Sequence, residues 1–429
     1  MEPWQRNFRV VWAANFVTAI GMTTFLPLFP LHLREIGVVD GRAIAIWSGA
    51  LVAAAPLTAA FMGPLWGALG DRIGRKPMLL RANVAITLFV GAMGFATTPW
   101  LLLLLRLLQG VFSGFIAPAM TLVSVSAPPQ QQGRIAGTLH TSVLAGNIVG
   151  PALGGFIGDH WGHRLTFFLC AALSIVAAIA IAAGVTEVAA PRAVARADGG
   201  GEPAGGDARG RGLGAAWRDL LRDAREFVAA GPLRTMVLGV LAVRGGAVLV
   251  DPVLALFLGT LRGGHDERLG TTTGLAFGAT AAATLLVTPL WGRLGDERGH
   301  GRLLGRCGAL AALCLLPQAF VGHVAQLGAL RFASGIFLAG VLPSAFGLAA
   351  SLSSIERRGA ANGFMFSAIG LANALGPMLG GLCASGLDRA GFGVRPLFVA
   401  SAALVFAGAW WLRSRATKLA PAASGEEPC

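Results

Sequence analysis

PLWGALGDRIGRKPML, residues 64–79, is answered far along the chain by PLWGRLGDERGHGRLL, residues 289–304. The offset between Pro64 and Pro289 is 225 residues, and it carries forward: Gly74 falls on Gly299, Arg106 on Arg331, Gly110 on Gly335 and Pro118 on Pro343. One residue of slip later, NIVGPALGG from Asn147 returns as NALGPMLGG from Asn373. A match held over so long a stretch marks a duplicated half rather than a chance motif. Each half must therefore be a unit that folds in the same way.

Composition says what kind of unit. The chain has 429 residues, 55% of them hydrophobic and 13% charged, where soluble domains carry about 25% charge. The mean hydropathy is +0.67. These figures exclude a disordered chain, a nucleic-acid-binding module and an ordinary cytosolic enzyme. A spanning helix needs about 20 apolar residues. Twelve such stretches are predicted, at 8–33, 44–66, 78–97, 100–125, 135–158, 165–186, 233–259, 270–292, 303–322, 325–348, 360–384 and 395–413. The first is too long for a signal-peptide core and is expected to be a retained helix. The fold class is all-α integral membrane: twelve transmembrane helices as two pseudo-symmetric six-helix bundles. The predicted bundles are 1–186 and 232–413, with a central loop at 187–231 and a tail at 414–429.

The net charge of +13 would suggest nucleic acid as a partner of a soluble protein. Here it is a record of topology. With both termini inside, and with the span-end residues Arg395 and Arg413 counted with their flanking segments, 20 basic residues fall in inner segments and 7 in outer ones, so cytoplasmic N- and C-termini are expected. The central loop begins as low-complexity sequence. It then sets Leu213, Trp217, Leu220, Leu221, Ala224 and Val228 on one helical face, which predicts an amphipathic helix at the inner membrane surface or packed on the neighbouring bundle. The five cysteines lack CxxC spacing and fit apolar packing better than disulfides or zinc.

Several motifs resemble the major facilitator superfamily and, within it, the twelve-helix drug:proton antiporters. The loop GALGDRIGRKPML from Gly67 matches the superfamily's signature between helices 2 and 3. Its Asp71 can meet a helix N-terminus or a cation, and Arg72, Arg75 and Lys76 suit a cytoplasmic face. The resemblance makes Gly67, Asp71, Arg72, Gly74, Arg75 and Lys76 a latch between the halves. GNIVGPALGG from Gly146 matches the antiporter signature in helix 5. Gly146, Gly150, Gly154 and Gly155 form a small-residue stripe, and Pro151 removes a helix hydrogen bond. Arg106, in LLLLRLLQGVFSG, resembles the family's helix 4 arginine, which acts on a nearby proton-binding carboxylate. Gly21, Pro27 and Pro30 resemble the helix 1 motif of the twelve-helix branch. WQRNFRVVWAANFVTAIG from Trp4 and IWSG at Trp47 are similar to MdtG-like multidrug exporters.

Proton coupling needs a titratable group inside the spans. Helix 1 has no acid before Glu35, so it lacks the carboxylate used by some relatives. Helix 7 carries Arg244 and, seven residues later, Asp251, which a continuous helix would set on one face about 10 Å apart. Asp251 is expected to carry the proton, with Arg106 or Arg244 tuning it and His140 as a further candidate. Asn15, Thr18, Phe25 and Phe364 are expected to line a substrate cavity between the halves. The implied function is export of small, hydrophobic or amphiphilic drugs in exchange for protons, with no cofactor and no metal. Its expected partners are a small-molecule substrate, protons and the lipid bilayer, with no nucleic acid, in a monomer of the cell inner membrane. Two alternatives keep the fold: export of an endogenous sugar or natural product, or a non-transporting membrane sensor. No GxSxG, HExxH or Walker loop points to an enzyme.

Overall fold

A run of some 20 apolar residues in a bilayer has no water to satisfy its peptide groups, so it must bond them internally as a helix. The computed structural model describes residues 3–126, 132–187, 231–264, 267–351 and 358–415, and every long element among them is helical. The first half comprises α1 (Pro3–Thr24), α2 (Phe29–Glu35), α3 (Gly41–Ile73), α4 (Arg75–Met93), α5 (Pro99–Phe112), α6 (Ile116–Ser126), α7 (Gln132–Trp161) and α8 (Arg164–Gly184). The second comprises α9 (Gly231–Ala247), α10 (Leu254–Leu261), α11 (Leu269–Arg298), α12 (His300–Leu315), α13 (Val324–Leu338), α14 (Val341–Ser351), α15 (Arg358–Arg389) and α16 (Arg395–Ser414). The predicted amphipathic stretch at 213–228 lies outside the described residues.

Eleven helical segments among the described residues are long and apolar enough to cross a membrane, and Pro99–Phe112 is a shorter apolar helix. The predicted continuous fourth span, 100–125, is therefore corrected to two helices. Ser113 is extended (ψ 148°) and Gly114 follows it, so α5 ends there and α6 restarts at Ile116. The first and seventh spans are broken as well. Leu26–Leu28 and Asp251–Val253 are single 3-10 turns with proline in the first turn, and Pro27 and Pro252 are repeat partners at the 225-residue offset. Proline lacks the N–H and crowds the preceding turn, so the α-helical ladder lapses at the same place in both copies. One consequence corrects the sequence reading: Arg244 and Asp251 do not share one face of a continuous helix.

The duplication extends to single contacts. The Trp66 indole N–H donates to the Val111 carbonyl at 2.6 Å, and its copy Trp291 donates to the Ile336 carbonyl at 2.6 Å. Gly110 lies against the backbone of Ala55, and Gly335 against that of Thr280. Each half has its own buried core, one around Phe25, Phe29, Leu79, Ile86 and Phe167, the other around Val240, Leu304, Ala311 and Val405.

Between the halves run two helix seams. On one, Gly155 and Pro151 of α7 meet Gly270 and Gly274 of α11, backbone against backbone. On the other, Gly381 and Pro377 of α15 meet Ala45 and Gly49 of α3. A third apolar cluster joins both halves at this level through Leu28, Leu31, Ala45, Leu249, Val253, Leu254 and Leu269. This is the far end of the molecule, opposite the chain termini. About five turns toward the termini on the same helix faces, a Cβ on Gly63, Gly67, Gly137 or Gly292 would meet no described atom within 4 Å. Among the described residues, the halves are in contact at the far end and stand apart at these glycines.

A side chain at a seam glycine would have to displace a backbone. Gly155→Leu is expected to lower the melting temperature in detergent by roughly 3–8 °C, whereas Gly137→Leu leaves it unchanged. Equal melting curves for the two variants would refute the seam.

Candidate functional site

The side chains that a bilayer should exclude are Arg106, Arg244, Asp251 and Arg331, and the structure divides them by half. Asp251 sits in the 3-10 turn that interrupts the seventh span. Its Oδ1 accepts a hydrogen bond from Arg331 Nη2 of α13 at 3.0 Å. The Asp251 side chain keeps 23% of its accessibility while Arg331 keeps 8%, so the carboxylate is the more exposed partner. Arg331 also lies 5.1 Å from the Phe277 ring centroid. Arg106 and Arg244 are the expected tuning groups for Asp251, but the direct contact is made by Arg331. Breaking the helix at Pro252 swings residue 251 out of the register of Arg244 and toward α13.

Arg244 remains within electrostatic range of Asp251, but its Nε donates to Asn373 Oδ1 of α15 at 2.9 Å. Its neighbours fix its direction. Val243 and Gly246 pack on α16, and Gly245 on α15, so Arg244 projects from the side of α9 opposite α16 and stays partly exposed.

Among the described residues, the first half shows no such ion pair at Arg106. Arg106 is 2% exposed, donates from Nε to the Leu51 carbonyl at 3.0 Å and from Nη1 to Gln109 Oε1, and lies 5.5 Å from the Phe25 ring centroid. The repeat position of Asp251 is Leu26. With no acid there, the arginine is satisfied by a carbonyl, an amide and aromatic faces instead. His140 of α7 is partly exposed and stands apart from this arrangement.

Three of the four expected cavity residues are placed elsewhere. Phe25 is 1% exposed and packs on Phe29 and Phe167 with ring centroids 5.6 and 5.2 Å away. Thr18 is 1% exposed and donates to Asn83 Oδ1 at 2.8 Å. Asn15 is 3% exposed. Thr18 of α1 turns toward α4, Phe25 sits in the first-half core just past the end of α1, and Asn15 is buried. The side chain of Phe364 lies outside those described.

At the terminal end, the loop between α3 and α4 turns at Gly74 (φ +110°), where a side chain would be strained. A Cβ there would also press on the Glu187 carboxylate. Glu187 accepts the N–H groups of Arg75 and Lys76, each at 2.8 Å, and Lys76 Nζ reaches the Ala182 carbonyl at 2.8 Å. An acid beyond the sixth span thus caps the N-terminus of the third. The sequence reading missed it, although a lone acid directly after an apolar run was the available signal. Gly67 makes no close approach in this arrangement, and the Asp71 and Arg72 side chains lie outside those described. The stripe in α7 does what its spacing requires: Gly146, Gly150 and Gly154 lie against Ile20, Thr23 and Thr24 of α1, while Gly155 faces α11. The helix runs unbroken through Pro151.

Comparisons with known proteins agree with this architecture. A family model described as Major Facilitator Superfamily matches residues 11–264 and again 236–428. A multidrug resistance protein MdtG of Klebsiella pneumoniae is 29% identical over 99% of this chain and 96% of its own. A Proteus mirabilis protein of the same name is 30% identical over 94% of both. The multi-drug resistance efflux pump PmrA of Streptococcus pneumoniae is 29% identical over 94% of both. A solved bacterial homologue of the human lysosomal transporter Spinster, inward-facing and unoccupied, superposes with a TM-score of 0.76 at 16% identity over 98% of each chain.

Removing one member of a buried pair strands the other, at a cost of about 3–5 kcal/mol. Arg331→Leu should therefore melt well below the parent, and adding Asp251→Leu should restore most of that loss. A double variant no more stable than Arg331→Leu alone would mean that the pair is not coupled.

Proposed function

The chain belongs to the Major Facilitator Superfamily, a family of membrane transporters rather than enzymes, and on that premise we propose that it exports amphiphilic small molecules from the cytoplasm in exchange for protons. The observation that carries the proposal is the Asp251–Arg331 pair: a carboxylate set in a helix break, paired across to another span and still partly accessible. A ligand can shift an equilibrium only through contacts that differ between the two states. A proton on Asp251 removes the ionic half of this contact and so loosens α13 from the seventh span. That is the kind of bistable link that alternating access needs.

The direction of transport draws on three supports. The excess of Lys and Arg in the segments at the terminal end supports a cytoplasmic setting for that end and both chain termini. The conformation then faces inward, ready to take up cargo from inside. The complete glycine pattern of α7 resembles that of antiporters, and the relatives above are named as multidrug resistance and efflux proteins. The energy source is the proton gradient, and the protein acts as a monomer in the inner membrane. Gly67, Asp71, Arg72, Gly74, Arg75 and Lys76 act as a latch that engages when the terminal end closes. Between the halves, Arg244, steadied by Asn373, offers a hydrogen-bond donor in a largely apolar wall. A few polar groups in an apolar surround suit varied amphiphiles.

Uptake of a fluorescent amphiphilic dye into everted vesicles is the decisive assay. Energised vesicles should accumulate dye, and a proton uncoupler should abolish the accumulation. Asp251→Asn should still bind dye yet show less than about one-tenth of the gradient-driven transport, since the titrating group itself is gone. Uncoupler-insensitive accumulation, or full transport by that variant, would overturn the proposal.

A further inference from the structure

The two seams at the far end hold the halves together through apolar and backbone contacts, and polar contacts described across them include the following two. One joins Arg42 of α3 to Asp388 of α15 at 3.4 Å, with the side chains 46% and 54% exposed. An ion pair that open to solvent contributes little. The other is of a different kind. Asp159, one turn beyond Gly155 on α7, accepts three hydrogen bonds from the start of α11: Gly270 N–H at 2.8 Å to Oδ1, and Thr271 N–H and the Thr271 hydroxyl, both at 2.6 Å, to Oδ2.

The first turn of any helix presents N–H groups with no partner inside the helix. For α11 the chain supplies no cap of its own: the preceding residue is Arg268 in a left-handed conformation (φ 57°), with no side-chain cap bond. The cap comes from the opposite half of the molecule. A carboxylate there satisfies the donors and meets the positive end of the helix dipole. The repeat does not reproduce this contact, because Asp159 falls on Ser385 at the 226-residue offset of the antiporter motif. The contact is thus confined to the α7–α11 seam.

We infer that Asp159 is the positioning residue that locks the far-end gate. The cap exists only while the halves meet at that end. When the gate opens, the carboxylate and the three donors of α11 must exchange each other for water, so the contact favours the closed far end selectively. The stripe of glycines sets how closely the helices approach, and Asp159 sets how long they stay. This role concerns the gate alone and stands whether or not Asp251 carries the coupling proton.

The test is a pair of distance measurements between spin labels in full-length protein in lipid nanodiscs, with the native cysteines replaced by serine. One pair, at His160 and Glu267, straddles the far end; the other, at Gly137 and Arg293, straddles the terminal end. Asp159→Ala should raise the population with a long far-end distance about tenfold, as loss of a charged cap implies, and shorten the terminal-end distance reciprocally. Asp159→Glu should restore the parent distributions, and Asp388→Ala should leave them as in the parent. Unchanged distances in Asp159→Ala, or lengthening at both ends together, would overturn the assignment. Should Asp159→Ala fail to fold, Thr271→Val, which deletes one donor, should shift both distances in the same directions by a few-fold in population; no shift in that variant would also overturn it.

Discussion

Backbone must touch backbone where the two halves meet, and that single requirement organises the molecule. At the far end, Gly155 and Gly274 bring α7 and α11 together, and Gly49 and Gly381 do the same for α3 and α15. Lipid offers no hydrophobic drive to push helices together, so close packing of small residues must supply the attraction. The closest approach lies toward the far end of each helix pair, and α3 and α15 still touch at Ala60 and Gly370. Farther along the same faces the glycines stand free, and the two bundles diverge. A pair of six-helix units hinged on glycine at one end is a structure with another arrangement available to it, closed at the other end instead.

Duplication built this symmetry, and function resides where the copies differ. Pro27 and Pro252 break the first and seventh spans at equivalent places, so both halves own a cavity in the helix ladder that could hold a polar group. Only the second half fills it with a carboxylate, and there Arg331 becomes an ion-pair partner. In the first half Leu26 stands in that place, and Arg106 turns to a carbonyl, Gln109 and the faces of Phe25 and Phe29. The same divergence appears at the gate, with Asp159 on one seam and Ser385 at its repeat position. The first half packs its arginine into a core, and the second sets a carboxylate against Arg331.

Much of this was legible in the chain. Hydropathy located the spans, because a bilayer forces any long apolar run into a helix. The 225-residue repeat gave the two bundles, and glycine spacing gave the packing face of α7. What escaped were contacts made across spans or through a break. Phe25 and Thr18 read as cavity lining from residue type and span alone, but which face of a helix turns inward depends on its neighbours. Arg244 and Asp251 read as sharing one helix face because seven residues make two turns, and that geometry is lost where the helix ends at Ala247 before the Asp251–Val253 turn, although Arg244 stays in electrostatic range. Glu187 and Asp159 each cap a helix that begins over 80 residues away along the chain, a relation that no local pattern encodes.

By itself, then, the sequence determined the class of solvent, the number of spans, their pairing into two copies and the small set of charges placed where charge is costly. Those properties are local or periodic: each depends on composition within a window of about 20 residues or on similarity between two windows. The tertiary structure decided who meets whom. It gave Asp251 to Arg331, moved Phe25 and Thr18 into a core, set Asp159 on the opposite half and closed the molecule at one end. These outcomes depend on helix rotation and on breaks of a few residues, and a rotation of one residue, about 100°, is enough to change every partner.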